Sequence, residues 1–274
     1  MGRIMDDNIC LKVLGDFGPF SREGRCISYE VEIAGDSYLI DCGAPLFKQL
    51  GGHRLKEIKG LFITHCHEDH KRWFTDLAIF HRYAKDVNKK LTLFTSQIVN
   101  DELKRSSAAA LYSTLSNCRK NVVGVKYEEY VNFQMIGPRP LYRIISKNEG
   151  NGRSQLCIVD QKQNLVSPER AKIFINPDTG RIRMLLNDQL SGEWVDPELF
   201  YTFSDNRFYE DKQNVIVGKN GYTIEAIKAP VWHGIPGIGL KISCGGETLV
   251  FSSDTVNDKE LWKELYQEKR KQDF

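Results

Sequence analysis

The run IKGLFITHCHEDHKRWF, residues 58–74, constrains this chain more than any other segment. Its first part, IKGLFIT (58–64), is short, apolar and β-prone, and reads as a buried strand. The cluster His65, His67, Asp69 and His70 begins where that strand ends. A strand end followed by a loop can aim several side chains at one point, which the fixed faces of a helix do not allow. Three of the six histidines in the chain sit within six positions. At ordinary residue frequencies an H-x-H-x-D-H arrangement arises by chance in about one of ~10⁴ chains of this length. Neutral imidazole and carboxylate at this density point to a metal site, with imidazole favouring Zn and its transition-metal neighbours Mn, Fe and Co.

Around this segment the pattern alternates between strands and helices. ICLKVLG (9–15), CISYEVEIAG (26–35) and SYLIDCG (37–43) read as strands, the last two joined by a Gly-Asp turn. APLFKQLGG reads as a short helix stopped by glycine. Leu77, Phe80, Tyr83, Ala84 and Val87 keep a helical period, which predicts a helix over about 75–89. LTLFTS is a further strand, and 97–118 a further helix. Residues 139–220 are polar and rich in Gly, Asn and Pro, and read as an inserted β-rich subdomain of hairpins. The compact strand pattern resumes in GYTIEAIK, GIGLKIS and ETLVFSSD, and DKELWKELYQEKRKQ reads as a closing helix.

The stretch THCHEDH (64–70) resembles the H-x-H-x-D-H signature of the metallo-β-lactamase superfamily. LGDFGPF is similar to its opening strand and glycine turn, and YLIDCG to its second strand, ending in Asp41. APVWHGIPGIGLKI resembles the segment bearing the next histidine ligand in the phosphodiesterase branch, which includes the tRNA 3′-processing endonuclease and cyclic-nucleotide phosphodiesterases. LVFSSDT resembles the strand whose aspartate bridges two metals. The resemblance implies an α/β fold, a four-layer αββα sandwich formed by 1–274 as a single domain. It also implies two metal sites: His65, His67 and His233 at the first, Asp69 and His70 at the second, with Asp254 bridging. Asp41, Thr64 and Ser253 are candidates to brace the ligands, because a ligating imidazole usually donates its other N–H to a neighbouring oxygen.

The likeness has departures. The superfamily's dinuclear members carry one more histidine downstream of the bridging aspartate, and none follows Asp254 here. His53, His81 or another subunit could fill that place, the chain could be a shortened form, or the second site lacks the ligand. On helix and loop patterning His81 reads as surface or core and His53 as a loop residue. Trp73 stands where the family commonly has glycine, and packing is the simpler role for its indole. Cys66 sits at a free position of the signature and is expected to face away from the metals.

The functional expectation is a metal-dependent hydrolase, phosphodiesterase-like, holding one or two Zn²⁺ ions with Mn²⁺ or Fe as alternatives, and with Asp69 as the catalytic carboxylate. Hydrolysis of a thioester or lactone on the same fold, or a non-catalytic metal-bound binding module, are the alternative readings. The 38 basic and 36 acidic residues leave a formal net charge of +2. The expected substrate is a small-molecule or nucleotide phosphodiester, with RNA an alternative that this balance does not indicate, and with an oligomer left open. No apolar run approaches 18 residues, which gives no membrane span. Seven scattered cysteines without a C-x-x-C pair suit reduced thiols in a cytoplasmic protein.

Overall fold

The computed structural model describes residues 3–5, 9–20, 25–87, 89–115, 122–137, 139–140, 142–150, 153–160, 162, 164–186, 189–190, 194, 209–210, 215–228 and 237–254. Seven strands form one mixed sheet in the order Arg3–Met5, Ile9–Gly15, Ser28–Ile33, Asp36–Ile40, Gly60–Phe62, Leu91–Thr95 and Val131–Met135. The first four strands run antiparallel as a meander. Ile33 pairs with Asp36 across a two-residue loop in which Ala34 and Gly35 both have positive φ, +47° and +85°. That primed geometry matches the twist of the flanking strands.

From Asp36–Ile40 onward each new strand is parallel to the last. A parallel return needs a crossover, and each one here is helical. Leu46–Gln49 and Gly51–Glu57 span the first, Glu68–Lys71 and Phe74–Tyr83 the second, Gln97–Tyr112 and Tyr127–Tyr130 the third. These strands are apolar on both faces because both faces are covered. Leu39, Leu61 and Leu93 pack toward the helices with Phe74, Leu77, Val99, Leu103 and Tyr130. Val31, Ile33, Tyr38, Ile40 and Phe62 point the other way, into a second core.

That second core is closed by a four-stranded antiparallel sheet, Val215–Val217, Thr223–Lys228, Ile238–Cys244 and Glu247–Phe251. Ile224, Ala226, Ile238, Leu240 and Ile242 alternate inward from it. The Tyr38 and Tyr222 hydroxyls meet at 2.7 Å, and Tyr222 donates to Asp36 Oδ2 at 2.7 Å, joining the two sheets at the start of the Asp36–Ile40 strand. Residues 142–190 form separate hairpins, Tyr142–Gly150 with Arg153–Asp160 and Ala171–Ile175 with Ile182–Leu186 and Gln189–Leu190. The expected closing helix falls outside the described residues, so the described layers are helices, sheet and sheet.

Several boundaries differ from the sequence reading, each for a local reason. Gly51, at φ +73°, separates two helices instead of ending one, and His53 lies inside the second of them. The helix expected over 75–89 is Phe74–Tyr83, and Ala84 turns to extended backbone. The helix expected over 97–118 ends at Tyr112, where Ser113–Leu115 pairs with Val122–Gly124.

His81 is fully buried on the helix Phe74–Tyr83, and neither ring nitrogen has a hydrogen-bond partner. Burial, followed by the nearby Lys89, pushes its pKa down to about 4. An unfolded histidine titrates near 6.5, so between those values the unfolded chain holds the extra proton and stability falls as pH drops. The shift corresponds to about 3 kcal/mol lost on acidifying through that window. His81→Leu is expected to remove most of this loss, read as the difference in urea midpoint between pH 7 and pH 4.5.

Candidate metal centre

The site forms at the carboxyl ends of the parallel strands, where open α/β sheets leave a crevice for chemistry. Past Phe62 residues 63–67 leave the strand as irregular backbone, and after His67, itself extended, the chain turns into the short helix Glu68–Lys71. His65, Asp69 and His70 are buried, His67 is half-buried, and Asp254 is 46% exposed. The cluster is therefore reached from the Asp254 side. Asp254 arrives from the other sheet, three residues past the end of Glu247–Phe251.

Side-chain atoms of His65, His67 and Asp254 converge, as do those of Asp69, His70 and Asp254, each set within 4.8 Å. His65 Nε2 lies 2.9 Å from His67 Nδ1 and 4.0 Å from Asp254 Oδ2. His70 Nε2 lies 3.3 Å from Asp254 Oδ2 and 3.8 Å from Asp69 Oδ2. His70 Nε2 is buried without a hydrogen bond of its own, facing carboxylates on two sides. An orphaned imidazole nitrogen between two carboxylates, beside a second pair of converging ring nitrogens, fits a cation held by these donors. His233 lies outside the described residues. Neither His53 nor His81 joins either cluster: the first sits in a helix, the second is buried in the helical layer.

A buried carboxylate organises the histidines from behind. Asp41, in left-handed backbone at φ +57°, accepts from the Thr64 amide at 2.8 Å and from Thr64 Oγ1 at 2.8 Å. His70 Nδ1 lies 2.7 Å from Asp41 Oδ2, so that nitrogen donates and Nε2 is left for the cluster. Ser28 Oγ donates to the Asp41 carbonyl at 2.9 Å. Gly43 is required here, because a Cβ on it would stand 1.6 Å from the Asp69 carbonyl oxygen. The Trp73 amide donates to the Cys42 carbonyl at 2.9 Å, and its indole packs on Phe47 and the helical core.

The electrostatics follow from this packing. Burial, then the neighbouring His70, lowers the His65 pKa to about 4. Burial also works against charge on His70, but Asp254 and Asp41 outweigh it and hold its pKa at about 10 in the metal-free protein, so a cation taken up at Nε2 would displace that proton. His70 in turn holds the Asp254 carboxyl below its ordinary range. Cys66 turns away, donating Sγ–H to the Val99 carbonyl at 3.4 Å, and burial keeps its thiol well above its ordinary pKa.

The sequence reading gave Tyr29 and Ser28 no role at the site. The Tyr29 ring packs on Phe251 at 5.2 Å. Burial, then Asp41, Asp16 and Asp254, raises its phenol pKa, which places the ring within electrostatic reach of the cluster. Its inward position in the alternating run SYEVEI was the available signal.

A mixed sheet stacked on an antiparallel one, with helices outside the first and a histidine loop at its strand ends, is the metallo-β-lactamase fold. Over residues 26–149 the sequence matches a family described as Anti-Pycsar protein Apyc1, a match over less than half of the chain. No curated protein matches it in sequence. Among solved structures it is similar to the metallo-β-lactamase fold protein YhfI from Bacillus subtilis. That likeness has 12% identity and a TM-score of 0.49, over 93% of this chain and 66% of that one. The chain thus spans just under two thirds of the YhfI chain. It is also similar to human tRNase Z, short form (ELAC1), at 13% identity and a TM-score of 0.44, over 92% of this chain and 73% of that one.

Proposed function

We propose that this chain is a metal-dependent phosphodiester hydrolase acting on a small-molecule or nucleotide substrate. The observation that carries the reading is the convergence of two three-residue donor sets that share Asp254. In this reading His65, His67 and His233 would hold one metal ion and Asp69 and His70 a second, with Asp254 available to both donor sets. The imidazole-rich donor set favours Zn²⁺, with Mn²⁺ or Fe as alternatives. The match to a family of phosphodiesterases supports a phosphoryl centre over a thioester or lactone.

A bound divalent ion lowers the pKa of water and acts as a Lewis acid toward a phosphoryl oxygen. The chain's own residues do the rest. Asp69 orients the attacking water and takes up its proton. Asp41 and Thr64 keep the histidine rings in place, so little reorganisation is needed when substrate enters. Burial of His65, Asp69 and His70 keeps bulk water from competing with these contacts.

The test is metal content followed by turnover of bis(p-nitrophenyl) phosphate by protein reconstituted with Zn²⁺ or Mn²⁺. Two equivalents per chain with turnover is the expected result. Turnover of thioesters or lactones alone would move the protein to another ester class. Full metal occupancy without turnover of any ester would make it a binding module.

A further inference from the structure

Among the described residues four non-glycine positions have positive φ: Ala34, Asp41, Asp86 and Ser253. Ala34 and Asp86 lie in turns, whereas Asp41 and Ser253 both touch Thr64. Left-handed backbone is costly for a side-chain-bearing residue, and such outliers persist where the surroundings over-determine them. Asp41 is held by three donors. Among the described residues Ser253 is held by two hydroxyls: Ser252 Oγ donates to its carbonyl at 3.2 Å within the turn, and its own Oγ makes the contacts that run between the two sheets.

Ser253 Oγ donates to Thr64 Oγ1 at 2.8 Å and lies 3.3 Å from His65 Nδ1. Thr64 Oγ1 has one proton, committed to the Asp41 carboxylate at 2.8 Å, so its lone pairs are free to receive Ser253. A chain of contacts therefore runs from Ser253 through Thr64 and Asp41 to His70 Nδ1. The backbone amide of Ile238 also donates to the Thr64 carbonyl at 2.9 Å, so Thr64 is the point where the second sheet meets the histidine loop.

Asp254 is the next residue after Ser253. It is the one member of both donor sets that comes from the second sheet, and the most exposed. An exposed carboxylate at a strand end has many rotamers and a mobile backbone to choose from. We infer that Ser253 is a positioning residue, whose hydroxyl tether to Thr64 fixes the left-handed turn that delivers the Asp254 carboxylate to His65 and His70. The inference rests on the metal-centre reading above. It adds that the shared ligand is held by a side chain and not by the turn alone.

Ser253→Gly separates the two contributions, because glycine adopts positive φ without strain yet has no hydroxyl. Zinc affinity is measured by chelator competition for the wild type, Ser253→Gly and Ser253→Ala, together with thermal midpoints of the metal-free proteins. Expected is a Ser253→Gly protein that unfolds at or above the wild-type temperature yet binds zinc about 10-fold more weakly, the range for lost ligand-bracing contacts. Ser253→Ala is expected to lose at least as much affinity. In a double-mutant cycle Ser253→Gly should add little to the affinity loss of Thr64→Val, since each removes the same bond. Wild-type affinity in Ser253→Gly overturns the inference and leaves the metal centre standing, as does full additivity with Thr64→Val. A wild-type protein that binds no zinc, Mn²⁺ or Fe overturns both.

Discussion

After metal reconstitution, His67→Ala and Asp69→Ala are each expected to lower turnover of bis(p-nitrophenyl) phosphate by about 10³-fold or more. His67 is the half-buried member of the first donor set, on extended backbone ahead of the helix Glu68–Lys71. His67 belongs to neither core cluster, so the fold is expected to survive its truncation. Asp69 is buried beside His70, and its loss removes both a donor and the carboxylate assigned to the attacking water. The two variants differ in metal content. His67→Ala should lose the ion it shares with His65, and Asp69→Ala the ion it shares with His70. Circular dichroism and metal analysis on the same samples separate these effects from misfolding. Activity above about a tenth of wild type in either variant, at full metal loading, removes that residue from the mechanism.

Asp41→Ala should be the most destabilising single change at the site. Asp41 is fully buried and accepts from the Thr64 amide, Thr64 Oγ1 and His70 Nδ1. Removing it leaves buried donors unsatisfied at about 1–3 kcal/mol each, less whatever entering water recovers. Alanine at φ +57° adds about 1 kcal/mol of backbone strain. Together these give an expected loss of about 3–5 kcal/mol, measurable by urea unfolding of the metal-free protein. Asp41→Asn keeps a residue tolerant of left-handed backbone and keeps the volume, so it isolates the charge. It should be less destabilising than alanine yet still weaken metal binding, because Oδ1 takes the Thr64 amide while Oδ2 takes Thr64 Oγ1 and His70 Nδ1, and an amide has one oxygen where the carboxylate has two. Equal stability of Asp41→Asn and wild type would show that geometry, not charge, is what His70 needs.

Much of the fold was legible because its strands are short and apolar with clear boundaries. ICLKVLG, GLF, LTLFT, IGLKISC and ETLVF all lie in strands, and the paired crossovers follow from the alternation with helices. Helix ends were less legible. Gly51 reads as a stop, yet the chain restarts there because Leu55 has a buried place under the sheet. The helix Gln97–Tyr112 gives way at Ser113 to a hairpin whose partner strand begins nine residues on, a pairing that no local period announces. His81 shows the same limit, since the helical pattern alone did not say that its ring would be buried without a partner.

At the site, the spacing of His65, His67, Asp69 and His70 is a local property, so the character of the cluster could be read from seven residues. The convergence of Asp254 with those four is not local. It depends on the second sheet stacking over the first, in a register set by Tyr38, Ile40 and Phe62 packing on Ile224, Ile238 and Leu240. Ser253 and Tyr29 gained their neighbours the same way, across 189 and 225 positions of chain from Thr64 and Asp254. Residue identity and spacing are carried by the chain whatever its shape, and they named the candidate donors. Distances between donors on different sheets exist only once apolar burial has brought the sheets together, and those distances turned a histidine-rich loop into two donor sets with one shared carboxylate.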